Sequence, residues 1–297
     1  MAKTVNEDYP GNSKPISDEQ LKALATANYH SKGPNESTDK TSKKEIETEI
    51  YQFPTEIVEL PSKGKFYPEG HPLSKGTVEM KYMTAKEEDI LTIQSYIKNG
   101  VVLDKLFKAL IVSPCDYNDL LICDKNAIMI AARLLGYGKD YPVKVTNPET
   151  GNEVEHSVDL TQLQEKQIDW DLVVDGQNSF DLQLPACKRN VKIKLLSQRD
   201  QSKIDKELKG LAKLKKNAQV STMMKYVIIQ IDDETDNTAI RKFVDNQLLA
   251  IDSRAIRQHL KKITPDIDMS VEIPDGDTGD TFRSQIAIGL DFFWPDS

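Results

Sequence analysis

The chain has 297 residues, of which 38% are apolar and 29% are charged, and its formal net charge at pH 7 is −8. This composition is typical of a soluble protein with a substantial core, and the negative balance argues against a general duplex-binding surface, which needs clustered Lys and Arg. No apolar stretch approaches the ~20 residues that span a bilayer, so the sequence predicts neither a signal peptide nor a membrane anchor.

The N-terminal segment, residues 1–48, is rich in Ser, Asn, Lys, Asp, Thr and Glu and holds few large apolar side chains. Such a segment cannot bury enough surface to offset the entropy of ordering the chain, so it is predicted to be a flexible arm. Within it, Leu21, Leu24, Ala25 and Tyr29 recur at helical spacing. The stripe would form a helix on a partner, or only a transient helix in the free protein, and Leu21, Leu24 and Tyr29 are candidate partner contacts.

The apolar density rises from Tyr51, where the fold is predicted to begin. The following segment PSKGKFYPEGHP holds prolines and glycines around Phe66 and Tyr67, a composition typical of an extended loop with turns. Aromatic side chains in such a loop usually pack into a core. Phe66 and Tyr67 are also candidate partner contacts, and the sequence leaves both roles open.

Apolar residues at helical spacing follow this loop and predict a series of helices that ends at a β-hairpin. The predicted helices lie at residues 90–97, 102–110 and 127–135. The predicted hairpin joins strands at 143–145 and 154–160 across turn residues 148–151. This hairpin closes the first half of the chain.

Residues 164–181 are predicted to connect the two halves, with Trp170, Leu172 and Val174 spaced as in a short strand. Helical spacing returns in the second half at residues 204–211, 223–231, 240–251 and 254–263. The apolar segment 286–293 predicts a final strand. Its Phe-Phe-Trp end would dock a partner if exposed, which makes Trp294 a candidate contact; the alternative is that at least the inward pair belongs to the core.

Two stretches of the chain resemble each other. At a constant offset of 113 residues, apolar and hydroxyl positions of one stretch match those of the other: Val78, Met80, Tyr82 and Thr84 with Val191, Ile193, Leu195 and Ser197. Each copy is an alternating strand that runs into a helix start. Both starts carry a hydroxyl residue and a carboxylate three positions later, the pattern of a capping box: Thr84 with Glu87, and Ser197 with Asp200.

A second pair of segments aligns without a gap from Asp124 and from Asp252, at an offset of 128 residues. Both aspartates are predicted helix N-caps, and Gly151 and Gly279 are predicted hairpin turns. We therefore predict an internally duplicated α+β fold, in which each half is a strand leading into several helices and closed by a β-hairpin. The predicted divisions are the flexible arm at 1–48, a first repeat at 49–163, a connection at 164–181 and a second repeat at 182–297.

The tips of the two hairpins read Asn147-x-x-Thr150-Gly151 and Asp275-x-x-Thr278-Gly279 at matched positions. A zinc knuckle has Cys-x-x-Cys-Gly at such a tip, and two tips can supply four thiolates to one metal. Here the ligand positions hold Asn, Asp or Thr, which bind zinc poorly. The hairpins are therefore predicted to be zinc-ribbon-like in shape but without metal ligands, and no metal or other cofactor is expected.

No catalytic or nucleotide-binding motif is found in the sequence. His71 with Glu69 has the residue types of an acid–base pair, but a lone His beside a Glu is more often a loop contact. The acidic cluster at 232–236 lacks the ligand spacing of a calcium loop and is interpreted as a solvated loop. The three cysteines are scattered, which predicts free thiols and no disulfide framework. We expect no enzymatic activity and no small-molecule substrate.

Several motifs resemble the base plate proteins of T4-like tailed phages over about residues 55–295: LPSKGKFYPEG, TVEMKYMTAKEEDIL, ARLLGYG before a hairpin, and the terminal DFFWP. This resemblance implies a protein of the hub of a contractile-tail baseplate, or one needed to assemble the hub. Its partners would be other hub or tail proteins, in the virion tail baseplate or in the host cytoplasm during assembly. Many relatives with this pattern carry cysteines at the hairpin tips, from which Asn147, Thr150, Asp275 and Thr278 depart.

Two classes of function remain to be distinguished. The leading hypothesis is a structural or assembly protein of the baseplate hub that acts through protein–protein contacts. The alternative is a nucleic-acid-binding adaptor derived from zinc-ribbon modules, which would use the basic run at 208–216, although the net acidity weighs against it. A hydrolase that uses His71 and Glu69 is a third hypothesis.

Overall fold

The computed structural model of the protein describes residues 54–276, 279–286 and 289–293. These residues belong to a compact unit that runs from Gln52 to Ser297. They combine helices with short antiparallel strand pairs, which confirms the predicted α+β class. The predicted arm at 1–48 and four candidate partner contacts lie outside the described residues: Leu21, Leu24, Tyr29 and Trp294.

The first part of the fold is a strand pair, a group of helices and a hairpin. The strands pair antiparallel, β1 with β2 and β3 with β4: β1 (Thr55–Glu59), β2 (Thr77–Lys81), β3 (Asp140–Thr146) and β4 (Glu153–Asp159). The helices lie between β2 and β3: α1 (Ala85–Thr92), α2 (Gln94–Asn99), α3 (Val102–Leu110) and α4 (Lys125–Tyr137). The β3–β4 hairpin lies where the sequence predicts it.

The second part has the same kinds of element with one more strand. Its strands form a sheet of order β6-β7-β8 and a hairpin: β6 (Phe180–Gln183), β7 (Asn190–Ile193), β8 (Ile228–Ile231), β10 (Ser270–Pro274) and β11 (Thr281–Gln285). Its helices are α5 (Gln198–Lys213), α6 (Gln219–Val227), α7 (Asn237–Asn246) and α8 (Ala250–Ile263). A short pair, β5 (Gln164–Glu165) with β9 (Ile267–Asp268), joins the connecting segment to the second part.

The two predicted capping boxes are confirmed. Capping boxes are present at α1, with Thr84 and Glu87, and at α5, with Ser197 and Asp200. At α5 the Asp200 carboxylate accepts a hydrogen bond from the Ser197 amide (3.1 Å), while the Ser197 hydroxyl accepts one from the Asp200 amide (3.3 Å). Both partners lie within one turn, so their spacing in the sequence is enough to predict the contact.

Three helix predictions are wrong in their extent, one of them at 240–251, where α7 ends at Asn246 and α8 begins at Ala250. The helix predicted at 90–97 is divided at Ile93, whose extended backbone (φ −69°, ψ 104°) separates α1 from α2. The helical spacing predicted at 223–231 ends after α6, and Ile228–Ile231 forms strand β8 against β7. A run of isoleucines favours a strand once a sheet edge is available to pair with it.

Two strand predictions are also wrong. Trp170–Leu172 forms a short 3₁₀ helix, as does Leu290–Phe293 near the C-terminal end of the described chain. Phe292 and Phe293 are both fully buried, as the core interpretation of this end predicts. Successive residues of a strand point to opposite faces of the sheet, so a strand with one covered face would bury only one of these two consecutive rings. A helical turn can bury both.

Buried apolar side chains from both parts of the fold form one continuous core. Its fully buried members include Met80, Phe107, Ile193, Ile256 and Phe292. The described helices include none of the length and apolar character that crossing a membrane requires.

Candidate partner-contact site

The loop that carries the motif LPSKGKFYPEG lies between β1 and β2 and folds back on itself in a series of turns. Gly64 (φ +72°) and Gly76 (φ +71°) both have left-handed backbone conformations. A Cβ added to Gly64 would lie 2.6 Å from the backbone nitrogen of Gly76, and one added to Gly76 would lie 2.6 Å from the carbonyl carbon of Lys63. Two backbone segments therefore touch at these glycines, and no side chain fits between them.

Phe66 and Tyr67, candidate partner contacts from the sequence, are buried inside this part of the fold. The Phe66 ring packs against Trp170 and Phe180 at centroid distances of 6.3 and 6.1 Å. The Tyr67 hydroxyl accepts a hydrogen bond from the Leu121 amide (2.9 Å). Both side chains thus anchor the loop to the core, and we withdraw their assignment to a partner surface because their aromatic faces are already covered.

Asp124 and Asp252, the two predicted N-caps, have a different role. The Asp124 carboxylate makes no capping bond and instead accepts hydrogen bonds from the Ser62 amide (2.9 Å) and the Tyr67 hydroxyl (3.3 Å). Asp124 occupies the N-cap position of α4, as predicted, although its side chain does not cap the helix. The N-cap prediction is wrong for Asp252, because α8 begins after Leu249 and Asp252 lies in its first turn. Each carboxylate is fully buried and holds the backbone of a distant loop.

The loop held by Asp252 lies between β6 and β7. Its amides at Ala186 (2.7 Å) and Cys187 (3.2 Å) donate to the Asp252 carboxylate. Ser62 follows a Leu-Pro pair in the first loop, and Ala186 follows a Leu-Pro pair in the second. Asp124 and Asp252 therefore form two similar clamps, in each of which a buried aspartate near the start of a helix holds a loop that contains a Leu-Pro pair.

Burial raises the pKa of Asp124 from 3.8 to about 6, and the hydrogen bonds from Ser62 and Tyr67 oppose the rise. The folded protein thus binds this proton more tightly than the unfolded chain does. The resulting contribution to stability is fully present below the unfolded pKa and is lost as the pH rises through about 6. Asp124 therefore favours the folded state more at mildly acidic pH than at neutral pH.

We expect this behaviour to disappear in the Asp124→Asn variant. The difference in free energy of unfolding between wild type and variant should fall by about 2 to 3 kcal/mol between about pH 4 and pH 8. Urea unfolding at a series of pH values measures it. Asp159→Asn is the control, because hydrogen bonds from Thr161 and Lys139 lower the pKa of the half-buried Asp159 to about 2, below the pH range of the comparison. If the difference in free energy of unfolding is as independent of pH for Asp124→Asn as for Asp159→Asn, the pKa of Asp124 is not raised in the folded protein.

The two hairpin tips meet. The Asn147 side-chain amide donates a hydrogen bond of 2.6 Å to the Asp275 carboxylate, and both residues are buried. The turns match as well, since the Gly151 amide donates to the Asn147 carbonyl (2.8 Å) and the Gly279 amide to the Asp275 carbonyl (2.9 Å). An amide–carboxylate bond thus occupies the space between the tips, where a zinc ribbon would hold its metal. Thr278 lies outside the described residues.

The residues that the sequence offered for acid–base chemistry or cation binding make structural contacts within the fold. Nδ1 of His71 accepts a hydrogen bond from the Leu73 amide (3.2 Å), and its ring stacks on Tyr67. In the acidic cluster, Asp232 binds Arg189 (2.8 Å) and Asp236 caps α7. Within the described ranges, no group of three or more His, Cys, Asp or Glu side chains is placed to hold a metal ion.

Some apolar side chains are exposed at positions that the sequence did not single out. Leu249 is 51% exposed and Ile251 is 58% exposed, although Ile251 belongs to the apolar residues whose helical spacing predicted a helix at 240–251. Val220 is 47% exposed at the start of α6. Periodicity identifies a helix face but not whether another element covers it, so no local signal separates these residues from core positions.

A comparison with family models places these elements in a wider context. The model described as T4 bacteriophage base plate protein matches residues 53–294. The chain belongs to this family. The match includes the glycine loop, both capping boxes and both hairpins, and it begins after the predicted arm. Searches of curated proteins and of solved structures found no significant match.

Membership in the base plate family makes the protein a structural component of a phage tail baseplate, and its partners are other baseplate or tail proteins. The adaptor alternative gains no support from these findings. The basic run at 208–216 lies at the end of α5 and in the turn after it, where the Lys209 ammonium donates to the Asn99 carbonyl (3.0 Å).

Proposed function

We propose that this base plate protein belongs to the central hub of a contractile tail, or assembles it, by binding other proteins and without catalysing a reaction. The family match over residues 53–294 is the observation that carries the proposal. The structural role of the motif residues supports it. The loop glycines let two backbone segments touch, and Phe66 and Tyr67 are buried, so these residues hold the loop firmly to the body of the protein. A hub protein needs such a body to present surfaces in fixed positions.

We also propose the internal duplication, with a first repeat at 49–163 and a second at 182–297. Matched capping boxes, matched buried aspartate clamps and matched hairpin turns support it. The contact between Asn147 and Asp275 adds a separate argument. Equivalent residues of two copies meet at a two-fold axis, so a bond between equivalent tip residues is the contact expected of two repeats related by approximate two-fold symmetry.

The polar N-terminal segment is proposed to tether the body to the hub. Its composition is that of a chain that orders only on a partner, and Leu21, Leu24 and Tyr29 supply the apolar stripe for that contact. Trp294 is the proposed contact at the other end of the chain. A long polar segment can reach a binding site at a distance from the body, which suits a protein that joins a large assembly.

Deletion of residues 1–48 should leave the melting temperature of the body nearly unchanged and lower its incorporation into hub assembly intermediates. The reason is that the core contacts lie in the unit from Gln52 onwards, whereas the proposed partner contacts lie in the deleted segment. Thermal unfolding and sedimentation of intermediates formed with the truncated protein measure the two effects.

A triple change of Leu21, Leu24 and Tyr29 to Ser in the full chain should reproduce the loss of incorporation. The matched control changes polar residues of the same stretch to Ser: Lys22, Thr26 and Asn28. If the wild-type protein does not sediment with hub intermediates, the hub proposal is wrong. If the truncated protein sediments as the wild type does, the tether proposal alone is wrong.

A further inference from the structure

A groove of about 600 Å³ opens between the start of α6, the end of α7 and one face of α8. Its apolar lining comes from α6, α7 and the segment between α7 and α8, and includes Val220, Met224, Val244 and Leu248. Met224 and Val244 are buried at its floor, while Val220 is 47% exposed at its rim. The exposed side chains of Leu249 and Ile251 flank Ala250, which also lines the groove. An apolar side chain entering the groove would therefore be covered on several sides.

The other end of the groove is polar and has unused hydrogen-bonding groups. Helices α6 and α8 both begin there, and neither of their N-caps, Ala218 and Leu249, makes a side-chain capping bond. Ser253, only 6% exposed, also lines the groove, and its hydroxyl has no hydrogen-bond partner among the described residues. Buried polar groups are normally paired, so this hydroxyl has the capacity for one further hydrogen bond to a polar group that enters the groove.

The charged side chain in the described groove lining is that of Arg257, which is positive, although the protein as a whole is acidic. Arg257 lines the groove and makes only a 3.4 Å bond to the Ser253 carbonyl, and neither it nor Arg254 forms an ion pair with any described residue. Lys215 and Lys216 directly precede the groove segment. The amino end of α6, which has no acidic residue in its first turn, adds partial positive charge at the same place, while Asp252 in the first turn of α8 is engaged by the amides of Ala186 and Cys187. The groove is thus complementary to a negative group.

We propose that this groove binds an apolar segment of another baseplate protein that carries an Asp or Glu side chain. The carboxylate lies at Ser253, Arg257 and the first-turn amides of α6 and α8, and the neighbouring apolar side chains cover Met224, Val244 and Leu248. This inference rests on the proposed function, because it names the chemistry of one hub partner. Nucleic acid fits less well, since the described groove lining offers no aromatic side chain on which a base would stack.

Peptide binding to the full-length protein tests the groove directly. The probe is a fluorescent helical peptide of about twelve Leu and Glu residues, compared with the same peptide in which Lys replaces Glu, by fluorescence anisotropy up to about 1 mM. We expect saturable binding of the Leu/Glu peptide only. Arg257→Glu should weaken it at least about tenfold, while Arg254→Glu, an equal charge change outside the groove lining, should weaken it less than about threefold.

The Ser253→Ala variant separates binding from folding. It removes the unpartnered hydroxyl, so the melting temperature should stay the same or rise, while the affinity for the Leu/Glu peptide should fall about threefold or more. Equal binding of the Leu/Glu and Leu/Lys peptides, absence of saturable binding, or insensitivity to Arg257→Glu would each overturn the proposal. Tighter binding of a single-stranded oligonucleotide that is lost in Arg257→Glu would replace the protein partner with a nucleic acid.

Sedimentation with hub intermediates distinguishes failure of this inference from failure of the proposed function. We expect wild type to enter the intermediates and Arg257→Glu to enter them at least about fivefold less, with a normal melting temperature. If wild type does not enter, the hub function is wrong. If wild type and Arg257→Glu enter equally, the hub function stands and the groove proposal is wrong.

Discussion

Replacing Gly64 with alanine is expected to lower the free energy of unfolding by at least about 3 kcal/mol, a large fraction of the roughly 5–15 kcal/mol that stabilises an ordinary protein. The left-handed backbone at Gly64 (φ +72°) costs a residue with a Cβ about 1 kcal/mol by itself. The larger cost is steric, because the new methyl group would meet the backbone of Ser74 and Gly76. Backbone atoms held in turns cannot move aside as a flexible side chain can.

Gly70→Ala provides a matched control in the same loop. Gly70 also has a positive φ (+82°), but nothing lies within 4 Å of the position that its Cβ would occupy. We expect a loss of only about 1 kcal/mol there, and a large loss again for Gly76→Ala. Urea unfolding followed by circular dichroism measures all three variants. Equal losses at Gly64 and Gly70 would mean that the two loop segments do not touch.

The same loop separates what the sequence can predict from what it cannot. Proline and glycine content predicts turns, because those residues restrict or free the backbone locally. The sequence does not tell which glycine tolerates a side chain, since Gly64 and Gly70 both lie between polar residues of the same Pro- and Gly-rich loop. The two glycines differ because Gly64 lies against the backbone of Ser74 and Gly76. The spacing of these residues along the chain follows no helical or strand period, so the contact leaves no pattern in the sequence.

The aspartates illustrate the same limit. Thr84 with Glu87 could be predicted because both partners lie in one helical turn. Asp124 has the residue type and position of an N-cap, yet its partners are at Ser62 and Tyr67, in a loop about 60 residues earlier in the chain. Local propensity yields to the larger stabilisation from satisfying a buried carboxylate with distant donors.

In the candidate site, alignment of the two segments made Asn147 and Asp275 equivalent but could not tell that they touch. Equivalence follows from sequence spacing, whereas contact depends on how the two hairpins are packed. The groove beside Ser253 was missed for a related reason. Its residues come from α6, α7 and α8, and each of these helices alone has an ordinary amphipathic pattern.

Replacing Arg133 with methionine is expected to cost at least about 3 kcal/mol, although methionine is a good helix former of similar length. Arg133 lies on α4, in the ARLLGYG motif, and is almost fully buried. Its guanidinium donates a 2.8 Å hydrogen bond to the Phe292 carbonyl and lies over the Tyr141 ring at 4.9 Å from the centroid. It thus fastens the C-terminal 3₁₀ helix and strand β3 to α4. Methionine fills the space but leaves a buried carbonyl without this donor.

Arg133→Lys should recover only part of the loss. Lysine keeps the positive charge, but its compact ammonium cannot stack as a planar group on Tyr141 and Phe292 while also reaching the Phe292 carbonyl. Arg283→Met is the surface control, with an expected cost below about 1 kcal/mol, because Arg283 pairs with Asp268 in an exposed position. Chemical unfolding measures the three variants, and near-UV circular dichroism reports the packing of the aromatic rings. If Arg133→Met costs no more than Arg283→Met, then the C-terminal segment is held by Phe292 and Phe293 packing alone, and the buried charge is not what fastens it.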